Sequence, residues 1–151
     1  MLRQVFTDRL KEAMKARDRR TISAVRLILA ALKDRDITAR GQGNPEGISE
    51  GEIGRLLQTM VKQRRESITL YEKGNRADLA EQEREEIAVI ESFQPRQLDE
   101  SEIEAAARAA ISETGAESIR DIGKVMAALK ERHSGTIDLG RAGAIVRRLL
   151  G

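Results

Sequence analysis

Apolar residues return at steps of three and four along nearly the whole chain, and nowhere do they alternate with polar ones as a half-buried strand requires. A chain patterned this way folds into amphipathic helices, each burying one stripe. Leu2, Val5, Phe6, Leu10, Ala13 and Met14 make the first stripe and predict a helix ending near Arg17. Ile22, Val25, Ile28, Leu29 and Leu32 make a second, which Thr21 helps to start. The segment 39–47, with three Gly, Asn44 and Pro45, predicts a loop. Ser49 and Glu52 then stand at capping-box spacing, predicting a long third helix that buries Ile53, Leu56, Leu57, Met60, Val61, Ile68 and Tyr71. Gly74 offers a left-handed stop, and Asn75 a cap for a fourth helix through Leu79, Ile87, Ile90 and Phe93.

Pro95 forbids simple continuation of that helix, and a fresh start signal follows at once. Asp99 and Glu102 form an acidic capping box, with Leu98 and Ile103 placed as a hydrophobic staple. The fifth helix runs to about Thr114 and stops at Gly115. Ser118 opens the sixth, through Ile119, Ile122, Val125, Met126 and Leu129, and a seventh begins near Asp138 and holds Ile145, Val146, Leu149 and Leu150. The expected fold is all-α: a four-helix N-terminal domain over residues 1–93, a linker at 94–98, and a small three-helix tail domain over 99–151. Only 2% of the 151 residues are aromatic, so the core is aliphatic.

Composition removes several classes of chemistry. Zero Cys excludes disulfides, thiolate-bound zinc, iron–sulfur clusters and thiol nucleophiles, and one His leaves no imidazole cluster for a transition metal. The longest apolar run, Leu27 to Leu32, is far short of the roughly 20 residues that cross a bilayer. The charged, amphipathic N-terminus lacks the apolar stretch of a secretory signal, and these features together lead us to expect a cytoplasmic protein with no membrane partner.

Net charge is only +2, which conceals a strong polarity. Residues 1–65 carry 15 basic against 8 acidic side chains, and residues 66–93 carry 3 against 8. Residues 94–117 carry 2 against 6, and residues 118–151 carry 7 against 3. In the last block Lys124, Lys130, Arg132, Arg141, Arg147 and Arg148 are suited to phosphate, Arg as a bidentate donor and Lys as a point charge. A solvated helix surface is the plain alternative. Arg17, Arg19, Arg20 and Arg26 near the first helix junction, and Lys62, Arg64 and Arg65 on the third helix, invite the same two readings. No aromatic residue interleaves with any of these clusters, which argues against base stacking.

Other constellations read as structural. Glu81, Glu83, Glu85 and Glu86 fan around a helix and lack the pattern of a calcium loop, so they read as a solvated face and no metal is expected. His133 lies near a helix end without a nucleophile or acidic partner at recognisable spacing. No glycine sits in a strand-to-helix phosphate loop. We expect no catalytic residue and no cofactor.

The run Arg76-Ala-Asp78-Leu79-Ala80-Glu81-Gln-Glu83-Arg-Glu85-Glu86-Ile87, continuing to Ile90, Phe93, Pro95, Gln97 and Leu98, resembles the GatB/YqeY family. Asp121-Ile122-Gly123-Lys124-Val125-Met126 is similar too, as are Ala13-Met14-Lys15 with Arg17-Asp18 and Lys62-Gln63-Arg64-Arg65-Glu66-Ser67 with Tyr71. The resemblance therefore covers nearly the whole chain. It departs at Gln94, where the family commonly has Leu before the Pro, and around Ser134-Gly135 and Asp138 with Arg141, which is looser than the family's usual Gly-Arg-Ala-Asp-like turn. The resemblance implies a four-helix part followed by a three-helix tail. It also implies kinship to the B subunit of glutamine-dependent tRNA amidotransferase, in which a similar helical region and tail follow the catalytic domain and contact tRNA. A carbon–nitrogen ligase activity with glutamine as amido-N donor is implied by the same kinship.

Amide transfer to a charged tRNA needs a glutaminase nucleophile, an ATP and magnesium site, and a route for ammonia, and this sequence displays none of them. A binding role needs only the basic helices. The expected function is a non-catalytic adaptor that grips structured RNA, tRNA foremost, through Lys124, Arg141, Arg147 and Arg148, which must project together and free of carboxylates. Lys124 is singled out by the motif, the three arginines by charge and position. The alternatives are an amidotransferase component acting with partner subunits, and a protein–protein docking module using the acidic fourth helix. Amidotransferase or tRNA synthetase proteins are the protein partners these readings imply.

Overall fold

The computed structural model describes residues 1–151 as seven α-helices with one 3-10 turn and no strands. They are α1 (Leu2–Ala16), α2 (Arg19–Gly41), α3 (Glu50–Lys73), α4 (Ala77–Glu91), α5 (Glu100–Thr114), α6 (Ile122–Arg132) and α7 (Leu139–Leu150), the 3-10 turn at Ile119–Asp121 leading into α6. No helix is long and apolar enough to cross a membrane. The chain divides into two compact units, Met1–Gln94 and Pro95–Gly151.

The first unit is built on an aliphatic core around one aromatic pair. Phe6 and Phe93 meet edge to face with ring centroids 5.0 Å apart, tying α1 to the segment that follows α4. Val25, Ile28 and Leu32 of α2, Ile53, Leu56 and Leu57 of α3, and Ile87 and Ile90 of α4 fill the space around them. A polar clasp closes one end of this core. Asp36, buried on α2, accepts from Arg3 Nη2 at 2.7 Å and from the Ile48 amide at 2.9 Å, and Arg3 Nη2 also donates to the Ile48 carbonyl at 2.8 Å. The Arg3 guanidinium, outweighing burial, holds the Asp36 carboxyl below its ordinary range. Gly47 sits at φ +84° against this clasp, and a Cβ there would land on Asp36 Oδ1. Glycine is required at that position for both conformation and space.

The second unit has a smaller core of Ile103, Ala107 and Ala110 from α5, Val125 and Leu129 from α6, Ile137, and Ala142, Ile145 and Val146 from α7, with no aromatic residue. Its entry is stitched to its far turn. The Leu98 amide donates to the Thr136 carbonyl at 2.9 Å, and Gln97 Nε2 donates to the Gly135 carbonyl at 2.8 Å. The Asp99–Glu102 capping box forms in both directions, and Gly115 ends α5 at φ +68°. Leu98 is partly buried against the same cluster that contains Ile103.

Three local expectations change. α2 continues to Gly41, carrying Ala39 into the core at the modest cost of one helical glycine, so the loop is shorter than 39–47. The left-handed residue after α3 is Asn75 at φ +57°, while Gly74 stays at φ −88°. Asn tolerates that region better than other side chains, and it thereby ends α3 instead of capping α4, whose N-cap Arg76 makes no side-chain cap bond.

Candidate nucleic-acid interface

The cations proposed to hold phosphate lie on the last two helices. α7 starts at Asp138, whose carboxylate accepts from the Arg141 amide at 3.1 Å. Ala142, Gly143, Ile145 and Val146 turn inward, Gly143 facing Met126 of α6. Arg141, Arg147 and Arg148 are left on the exposed side, Arg141 and Arg148 seven residues apart and therefore on one line down the helix. Lys124 is exposed on the first turn of α6.

The expectation that all four project free of carboxylates is corrected. Lys124 Nζ lies 3.8 Å from Asp121, Arg141 Nε 3.9 Å from Asp138, and Arg148 Nη2 3.2 Å from Glu104, an acid that Arg108 also contacts at 3.0 Å. Only Arg147 enters no ion pair. For Lys124 and Arg141 the reason is local, since a helix that starts at an acidic residue places that acid three positions before an outward-facing side chain, whereas Arg148 meets Glu104 across from α5.

These pairs differ in kind from the ones in the first unit. Asp121 is held below the usual carboxylate range chiefly by the Glu117 amide, which donates to it at 3.0 Å, and Lys124 contributes least. Asp138 is engaged in capping α7. The side chains of Lys124, Arg141 and Arg148 remain 66%, 64% and 59% exposed, so their pairings are worth about 0–1 kcal/mol each and are screened by salt. A phosphate can displace contacts of that strength.

The first unit uses its arginines otherwise. Arg64 of α3, 13% exposed, donates to Glu86 at 3.0 Å and lies 3.8 Å from Glu83. Arg20 of α2 donates to Glu85 at 2.8 Å and lies 3.7 Å from Glu86. Burial, reinforced by the neighbouring Glu86, pushes the Glu83 carboxyl above its ordinary value. The acidic face of α4 is therefore not simply solvated: its Glu83 and Glu86 are half-covered by arginines from α2 and α3. Sequence reading missed this network, because its partners are 22 and 65 residues apart. Arg20 and Arg64 are accordingly engaged within the fold. No group of three or more His, Cys, Asp or Glu is arranged to hold a metal ion. His133 closes α6, its amide donating to the Leu129 carbonyl at 3.0 Å, and its own carbonyl accepts from Thr136.

Comparison with known proteins agrees with the sequence motifs. Several curated relatives carry the name altered inheritance of mitochondria protein 41, mitochondrial. The one from Lachancea thermotolerans is 33% identical over 84 residues, which is 56% of this chain and 43% of the relative. Those from Kluyveromyces lactis, 31% identical over 85 residues, and Clavispora lusitaniae, 33% over 84, match 56% of this chain and 44% and 46% of their own lengths. The matched stretch thus spans less than half of each relative. The expectation of a cytoplasmic protein is overturned by these relatives, which are named mitochondrial. That expectation rested on the charged first residues and on the shortness of the apolar runs, and neither feature separates the cytoplasm from the mitochondrion. The sequence model of the Yqey-like proteins matches residues 3–150, nearly the full extent of both helical units, and the chain belongs to that family.

Proposed function

We propose that this protein is a non-catalytic helical adaptor for structured RNA, tRNA foremost, with its four-helix and three-helix units acting as separate domains and the smaller one holding the RNA. The supporting observation is the outer face of α7, where Arg141, Arg147 and Arg148 are exposed and Arg147 has no acidic partner. Lys124 on α6 adds a fourth cation, loosely paired at 3.8 Å. Phosphate contacts of this kind read backbone and shape in place of base sequence, which suits a surface without aromatic side chains.

Purified full-length protein titrated with tRNA provides the test. The logarithm of affinity should fall linearly with the logarithm of salt, losing about 0.7 to 0.9 in slope for each phosphate engaged. The double variant Lys124→Ala, Arg147→Ala should weaken binding of different tRNA species alike and flatten that slope by about two contacts' worth. Affinity unchanged by both salt and the substitutions would end this reading.

A further inference from the structure

The outward side of α2 carries a long row of exposed cations that the fold leaves unpaired. Arg19, Arg26 and Lys33 recur every seven residues, and none of them enters an ion pair, although Arg20, next to Arg19, bridges to α4. Ser23, Ala30 and Ile37 recur at the same interval between them, all exposed. Seven residues make almost two helical turns, so the six side chains form one straight strip about 27 Å long. Ile22 and Leu27 flank it and, with Arg19, Ser23 and Arg26, line a shallow hollow. Leu27 is 44% exposed and Ile37 55% exposed. The one acid on this outer side is Asp34, at the edge of the strip, since Asp36 is turned into the core and paired with Arg3.

We propose that this strip is a docking surface for an amphipathic acidic helix of a partner protein, one that carries Leu or Ile on a three-four repeat with Glu or Asp alongside. Charge complementarity points to an acidic occupant, because the three cations have no counter-ion within the fold. Shape and polarity make it a helix. A phosphate backbone would engage Arg19, Arg26 and Lys33 but leave Leu27 and Ile37 in water, whereas a helix laid along the strip covers them and brings its own carboxylates to the cations. The small Ser23 and Ala30 let such a helix approach closely. This surface belongs to the first unit and stands whether or not the second unit holds RNA.

A photo-crosslinking residue placed at exposed Ala30 of the full-length chain, in cells, reports the occupant, with mass spectrometry of the linked peptide after nuclease treatment. The expected product is a segment of another protein in which acids outnumber bases and apolar residues follow the three-four repeat. Its yield should fall about tenfold in Arg26→Glu, Lys33→Glu and comparably in Leu27→Ser, Ile37→Ser, with circular dichroism melting of both variants close to that of the parent. Linkage to nucleic acid, to a second copy of this chain, or to a basic or unpatterned segment would overturn the proposal. So would a yield sensitive to the charge variant but not to the apolar one, or no linkage above that from a control site at exposed Thr69.

Discussion

The two helical units bury their cations to different depths, although each also has exposed pairs, Arg76 with Asp78 in the first and Arg148 with Glu104 across helices in the second. In the first, arginine is structural: Arg3 clasps Asp36 and the Ile48 backbone, Arg64 is 13% exposed between two glutamates, and Arg20 reaches across from α2 to α4. In the second, Lys124 and Arg141 meet only the acid three residues before them, at 3.8 and 3.9 Å. Basic side chains in the two units therefore differ in what they can release. A cation held across helices and away from water cannot be withdrawn without leaving a buried carboxylate unpaired, whereas one beside a solvated capping acid can change partners freely.

The sharpest way to break this comparison is to strip the clasp. Asp36→Ala should destabilise the first unit by about 3 kcal/mol, since it leaves Arg3 without its carboxylate partner and the Ile48 amide without its acceptor. Amide hydrogen exchange in the full-length protein should show the loss in α1 to α4, with the amides of α5 to α7 much less affected. Arg64→Ala should cost about 1 to 2 kcal/mol, more than a surface pair, because Glu86 loses its donor and Glu83 its neighbouring cation. In the second unit Gly115→Ala should cost about 1 kcal/mol through its left-handed conformation alone. Lys124→Ala with Arg147→Ala should change stability by under about 0.5 kcal/mol, the signature of side chains the fold does not need. A loss of 2 kcal/mol or more there would erase the distinction between the units.

Acid offers the finest discrimination. The Arg96 guanidinium and the Asp99 amide lower the Glu102 carboxyl from 4.5 to about 2. Its contribution to α5 is therefore complete above pH 4.5 and is lost as pH falls toward 2. Exchange at the start of α5 should accelerate across that window, and Glu102→Gln should remove most of the pH dependence there.

Legibility in the sequence followed distance along the chain. Ser49, Asp99 with Glu102, Gly115 and Asp138 end or begin helices as their local spacing predicts, because a cap involves residues within about four positions. The left-handed conformation falls on Asn75 and not on Gly74 one residue earlier, since glycine, with no Cβ, and asparagine, with a short polar side chain, both suit that turn. Beyond the next turn the pattern is silent. Nothing near Asp36 signals a buried acid whose partner is Arg3, 33 residues earlier, and nothing near Glu86 signals Arg64. The candidate interface was legible as a set of positions, whereas the pairing state of each cation depended on acids whose direction only the fold reveals.

The seam between Gln97–Leu98 and Gly135–Thr136 has a mechanical corollary. Tension applied through the chain at Pro95 would reach the turn just ahead of α7 at the same moment as α5. Traction on this tail would therefore move its three helices in concert, and the arginine row would be carried along intact instead of being peeled away strand-end first.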